Sequence, residues 1–226
     1  MEKGSKELRS LLRRGIVKED RGETWYNIAR AHKKWKHVPG YYQRLVNKKN
    51  FASGIDVAKD IQRTFPCHVF FASQVIQDSL QRILLAYSIR NPAVGYCQSM
   101  NFLAGILMLN MSEEKAFWVL CFITEDVLSE YFISTMIGLT VDQKVLASLV
   151  EEQAPKLHVH LESMSFPLSI FSTRWFMCAF LNTLPTEVCI NSRETLSDHL
   201  EELHESVGLY DARRSKNADS LQLYNS

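Results

Sequence analysis

The chain has 226 residues, 46% of them hydrophobic, with 26 Lys and Arg against 25 Asp and Glu and a formal net charge of +1. That is enough apolar material for one extended domain, and the near-neutral balance excludes a general binder of nucleic acid or of an acidic membrane surface. The longest apolar run, 102–109, falls far short of the ~20 residues a membrane helix needs, and Met1-Glu2-Lys3-Gly4-Ser5-Lys6 lacks the apolar segment of a secretory signal.

In chain order, Met1 to Lys36 carries 11 Lys or Arg against 5 Asp or Glu, which reads first as a solvated basic face. Connections are expected at Gly40, at the surface loop Asn47 to Gly54, at Pro66 and at Pro92 to Gly95. Between them, "VAKDIQRTFP" places Val57, Asp60 and Arg63 three apart on one helix face, with Pro66 as the stop. "SLQRILLAYSIRNP" follows, with Leu80, Ile83, Leu84 and Tyr87 at i, i+3, i+4 and i+7, an amphipathic helix ended by Asn91-Pro92. "GYCQSMNFLAGILML" then sets Gln98 and Asn101 beside an apolar run. Tyr96, Cys97 and Gln98 are expected at the start of the helix that Asn101 to Leu109 continues.

Ser112 reads as an N-cap, with Glu113 and Glu114 in the first turn of a helix through "KAFWVLCFITEDVL", apolar nearly all round and therefore central. In the next helix Val145, Leu146 and Leu149 share a face until Pro155 breaks it, and "STRWFMCAFLNTLP" is a further dense apolar helix ended by Pro185. No segment alternates with period two, and there is no internal repeat, so the expected fold class is all-α. After about Thr186 the composition shifts. Leu196, Leu200, Leu203 and Val207 still keep helical spacing before Gly208, and "YDARRSKNADSLQLYNS" reads as disordered.

Five cysteines, Cys67, Cys97, Cys121, Cys178 and Cys189, are odd in number and mostly set in apolar stretches, which points to buried free thiols in a reducing, cytoplasmic compartment. There is no GxxxxGK[ST] or GxGxxG loop, no CxxC and no HExxH, so the chain is not expected to bind a nucleotide or a metal of its own. His158 and His160 form the one close histidine pair and lack a third ligand. Cys97 with His68 is a conceivable thiol and base, against which a small buried thiol is the stronger reading. Asp60 and Arg63 by themselves read as a surface ion pair, and Gln98 as a cap for backbone donors at a helix start.

Taken together and in this order, these segments resemble the TBC domain of Rab GTPase-activating proteins. Arg21-Gly22-Glu23-Thr24-Trp25 matches the family's R-x-x-x-W, Val57 to Arg63 matches I-x-x-D-x-x-R with Val for Ile, and Tyr96-Cys97-Gln98 matches Y-x-Q. "SEEKAFWVL" and "TRWFMCAFLNTLP" are also similar to TBC sequence, and the resemblance covers roughly Leu8 to Val188. It implies a multi-helix, all-α TBC-type domain over 8–188, in its N-terminal part, with 189–226 as a divergent tail where the family continues into an R-I-W-D-like helix and a C-terminal half. Ser99 stands where the family commonly has Gly, a change that a helix start tolerates.

The resemblance further implies that Arg63 is an arginine finger supplied in trans, and that Gln98 orients the attacking water in place of the GTPase's own glutamine. A planar, permanently charged guanidinium suits a transition state whose charge is spread over phosphoryl oxygens. A neutral amide can accept from water and donate to phosphate at once. Asp60 would hold the finger, Tyr96 would support it, Asn101 would be a structural hydrogen-bonding residue, and Arg21 and Trp25 would be scaffold. The implied partner is a Rab-family small GTPase, which would carry the GTP and Mg²⁺, leaving this chain without cofactor or metal. It would be a catalytic regulator in vesicle trafficking rather than an enzyme with its own substrate. It would be cytoplasmic, reaching intracellular membranes only peripherally, through the Rab. The other open reading is a non-catalytic, TBC-derived module that binds a Rab without accelerating it.

Overall fold

The computed structural model describes residues 16–31, 38–48, 53–181 and 183. Nine α-helices and no strand occur among the described residues, in agreement with the all-α expectation. The chain divides into two compact units, one of them Ile16–Ser134 and the other containing Thr135 onward.

The first unit holds α1 (Arg21–Ile28), α2 (Tyr41–Val46), α3 (Gly54–Gln62), a 3-10 turn (Val69–Ala72), α4 (Gln74–Arg90), α5 (Met100–Met108) and α6 (Glu113–Phe122). Its centre is α4, which contacts α2, α3, α5 and α6. The periodic residues explain why: Leu80, Ile83, Leu84 and Tyr87 are all fully buried, each such aliphatic side chain contributing roughly 1.5–3 kcal/mol. The helix ends at Arg90, as Asn91-Pro92 implied.

A second layer of specificity comes from a polar junction at the start of α6. Glu113 accepts two bonds from Arg82 on α4, at 2.8 Å from Nε and 2.7 Å from Nη2, and a third from the Tyr42 hydroxyl of α2 at 2.5 Å. Burial would raise the Glu113 carboxyl, but these donors outweigh it and hold the group below its ordinary value. Burial, followed by the bond to Glu113, drives the Tyr42 phenol well above its own.

Contact at α1 depends on a missing side chain. A Cβ placed on Gly22 would lie 2.0 Å from the backbone oxygen of Asn110, in the link between α5 and α6. At Gly105, inside α5, a Cβ would come within 3.1–3.3 Å of Phe65, Thr64 and Phe71.

Two expected boundaries differ, and the expected break at Pro155 holds but also opens a further helix. The α6 run does not stay α-helical to Leu128: Ile123–Val127 widens into a π-helix, with Leu128 N–H donating to Ile123 O at 2.7 Å. The Thr124 hydroxyl, at the start of this turn, donates back to Leu120 O at 2.8 Å. In the second unit, α7 (Ile137–Gln153) ends before Pro155, but Pro155 then opens a new helix, α8 (Pro155–Ser163), because proline suits a first helical turn. Val145 is buried there whereas Leu149 is exposed. The helix α9 (Ser169–Met177) stops well short of Pro185, where Ala179 and Phe180 take left-handed φ of 46° and 62°. Both α8 and α9 pack on α7, yet α8 buries none of its residues. Pro185 and the whole 189–226 tail lie outside the described residues.

Two outcomes follow from this packing. Gly22→Ala drives a methyl into backbone and should cost about 3 kcal/mol, whereas Gly54→Ala, with open space around it, should change stability by no more than about 0.5 kcal/mol; paired thermal melts check both. The Glu113 contribution is complete above the ordinary carboxylate range and is lost as pH falls through its lowered folded value. The stability gap between wild type and Glu113→Gln should therefore narrow between pH 7 and pH 3 in denaturant titrations.

Candidate functional site

Helix α3 ends at Gln62 because Arg63 leaves helical geometry, with φ −100° and ψ 4°. Asp60 faces inward from the last turn and is 4% exposed. Its Oδ1 lies 2.5 Å from Arg63 Nη2, while the Arg63 side chain remains 53% exposed. Asp60 is thus an anchored carboxylate and Arg63 an outward-reaching cation; spacing anticipated the pair, but as a surface ion pair, and the burial of Asp60 departs from that.

The second segment is the turn before α5. The expected helix start at Tyr96 is corrected by the structure: 95–99 is non-helical, and α5 begins at Met100. Ser99 explains the difference. It has φ 99° and ψ −27°, a left-handed conformation costly for any residue with a Cβ, and its hydroxyl is buried without a partner. A helix start tolerates serine; this strained turn favours glycine.

The two segments meet on Asp60. Tyr96 OH donates to Asp60 Oδ2 at 2.5 Å, so the two carboxylate oxygens are taken by the two segments separately. Burial first, then the bond to Asp60 and its charge, hold the Tyr96 phenol far above its ordinary value, so it stays protonated and donates to the carboxylate. Asn101, fully buried, completes the junction: its Nδ2 donates to Thr64 Oγ1 at 2.8 Å and points at Asp60 O at 3.4 Å, while its Oδ1 accepts from Ser99 N–H at 3.2 Å. Thr64 in turn donates to Asp60 O at 2.7 Å.

Gln98 is exposed on the turn that Tyr96 and Asn101 fix. Arg63, Asp60, Tyr96 and Asn101 are therefore joined in one network, and Gln98 stands on the loop it holds. Arg21 and Trp25 are both buried on α1, which packs on α6, with Arg21 Nε donating to Ile16 O at 3.1 Å. Cys97 is only half-buried, and burial followed by Asp60 pushes its thiol up, opposite to the needs of a nucleophile. His68 uses Nδ1 to accept from Phe70 N–H, capping the 3-10 turn. Cys67 is exposed rather than buried, and Cys121 and Cys178 are buried.

Sequence reasoning missed Thr64, which sits in the turn after α3 where no periodicity marks it. It also passed over Gly105, although an isolated glycine inside an apolar helix is a recognised sign of close approach.

This network ties the half-exposed Arg63 to the turn that carries the exposed Gln98. The family model for the Rab-GTPase-TBC domain matches residues 18–205. The chain belongs to this family. Human "TBC1 domain family member 2A" is 35% identical over 193 residues, covering 82% of this chain and 21% of that protein. Human "Growth hormone-regulated TBC protein 1" is 34% identical over 191 residues, covering 82% and 57%. The TBC chain thus spans about half or less of the length of these curated relatives. Among solved structures, the Chlamydomonas flagellar RabGAP TBC domain superposes with a TM-score of 0.75 at 28% identity, covering 94% of this chain and 74% of that one. The Ypt/Rab-GAP domain of Gyp1p shares the fold with a TM-score of 0.70 at 22% identity.

Ser99→Gly should relieve the strained backbone of this TBC turn and remove the orphaned hydroxyl. Set against the greater freedom of glycine in the unfolded chain, a net stabilisation of about 1 kcal/mol is expected from denaturant melts. Ser99→Ala, which keeps the Cβ, should recover only part of it.

Proposed function

We propose that this chain accelerates GTP hydrolysis by a Rab-family small GTPase, with Arg63 and Gln98 supplied in trans. The observation that carries this reading is the shared carboxylate: Asp60 binds Arg63 through one oxygen and Tyr96, two residues from Gln98, through the other. Membership of a family named for Rab-GTPase, and likeness to a solved RabGAP TBC domain, support the partner class. GTP and Mg²⁺ arrive with the GTPase, and this chain provides no nucleotide site of its own.

On this reading Arg63 leans on the transferring phosphoryl group and offsets the charge on its oxygens, an effect worth ~10³ to 10⁵ in rate. Gln98 accepts from the attacking water and donates to a phosphoryl oxygen, fixing the line of attack. Asp60 and Tyr96 hold the guanidinium and the Gln98 turn, Asn101 steadies both segments, and Arg21 and Trp25 belong to the scaffold. The protein is then a cytoplasmic regulator that meets membranes peripherally, wherever its Rab is anchored.

The alternative reading, a module that binds a Rab without accelerating it, differs from the first in predicting binding with no change in rate.

Single-turnover hydrolysis by a panel of GTP-loaded Rab proteins separates the two. The wild-type chain should accelerate at least one Rab, Arg63→Ala should abolish about a thousandfold of that acceleration, and Gln98→Ala about a hundredfold. Arg63→Lys should not restore it, because an ammonium lacks the planar fork. Binding of a GTP-loaded Rab with no acceleration would establish the second reading instead.

A further inference from the structure

We infer that the Thr64–Asn101 hydrogen bond is a positioning link that keeps the Arg63 turn and the Gln98 turn in one register, so that the two side chains are presented together. The inference deepens the proposed activity and rests on it for its kinetic arm. Three hydrogen bonds cross between the segments: Tyr96 OH to Asp60 Oδ2 at 2.5 Å, Asn101 Nδ2 to Thr64 Oγ1 at 2.8 Å, and Asn101 Nδ2 toward Asp60 O at 3.4 Å. The first uses a carboxylate that is shared with the half-exposed Arg63, so it is not devoted to joining the two segments. The third is long and reaches a carbonyl that already accepts from Thr64. The second is short, lies wholly inside the protein, and joins two side chains exposed by 1% or less.

Asn101 is suited to this task because its other end is committed to the Gln98 turn. Its Oδ1 receives the Ser99 N–H at 3.2 Å, and Ser99 is the residue forced to φ 99°. An amide that donates to one segment and accepts from the other transmits a displacement of either to the other. Thr64 is fixed in the same way. Its hydroxyl donates to Asp60 O at 2.7 Å, and its Cγ2 lies against the bare face of Gly105, where a Cβ would be 3.2 Å away. Threonine here therefore holds the α3 end and α5, and through Asn101 the Gln98 turn, with two heavy atoms of one side chain, Oγ1 and Cγ2.

The test compares Thr64→Val, which keeps the methyl packing and removes the hydroxyl, with Thr64→Ser, which keeps the hydroxyl. Hydrogen exchange on the intact chain comes first, because it needs no GTPase. Thr64→Val should speed exchange of the Ser99 amide by about tenfold or more relative to Thr64→Ser, although residue 64 lies on the other segment. Unchanged exchange at Ser99 in Thr64→Val overturns the link, whatever the protein does to a Rab.

The kinetic arm uses a Rab that the wild type accelerates. Thr64→Val should lower the maximal rate about tenfold with little change in the chain concentration giving half-maximal rate, as displaced catalytic groups require. Thr64→Ser should retain the wild-type rate. In Arg63→Ala or Gln98→Ala backgrounds the Thr64→Val loss should shrink, because only one of the two groups remains to be aligned. An equal loss in every background would assign Thr64 a merely structural part and overturn the inference. If the wild type accelerates no Rab while Ser99 exchange still responds to Thr64→Val, the proposed activity fails and the link stands.

Discussion

The buried carboxylate of Asp60 is the constraint around which the site is built. A carboxylate with so little exposure is tolerable only if its oxygens are taken by donors, and removing one donor from such a group is more damaging than never having buried it. Both oxygens are taken, one by Arg63 from the same helix end and one by Tyr96 from a distant part of the chain. That requirement pulls the turn before α5 onto the end of α3. Once they are in contact, Asn101 and Thr64 satisfy the backbone and side-chain groups that the contact would strand, and Gly105 lets α5 come close enough for this to happen.

The scaffold repeats the same logic at a second place. Glu113 is partly buried at the start of α6 and draws Arg82 from α4 and Tyr42 from α2 onto one carboxylate. Since α4 also contacts α3 and α5, the two carboxylate junctions are fixed relative to each other by a single helix with an aliphatic face of Leu80, Ile83 and Leu84. Hydrophobic area gives this unit most of its stability, and the two carboxylates select which arrangement of helices it adopts. Selection at the Ser99 turn comes at a cost, a left-handed residue with a Cβ and an unpaired hydroxyl.

Much of this was legible from residue patterns. The periodicity of Leu80 to Tyr87 located α4 and its stop, and the burial of Trp25 agrees with a scaffold reading of its motif. Asp60 and Arg63 were placed on one face by spacing alone, and they pair. The failures have physical causes. The position of Gln98, just after Pro92 and Gly95 and leading into the apolar run, implies a helix start, but sequence cannot register the φ of Ser99, and the helix begins only after it. The widening at 123–127 likewise leaves no mark in a run that is apolar nearly all round, because periodicity does not report which carbonyl each N–H reaches. Thr64 carries no pattern, because its importance lies in a partner 37 positions away.

The division between buried anchor and exposed reach also bears on chemistry. Arg63 meets Asp60 through Nη2, one corner of a fork that carries five N–H donors. On the proposed reading it therefore keeps its tether while other N–H groups meet phosphoryl oxygens, which an ammonium could not do with comparable geometry. In water the half-exposed guanidinium gains little from either contact. A docked GTPase would exclude that water and strengthen both together, so the tether that orients the finger would tighten only when a phosphate is there to be reached. On that reading the rigidity needed for orientation would be supplied in advance, by the buried Asn101 and Thr64 and the half-buried Tyr96, and the partner would have only to supply the dry environment.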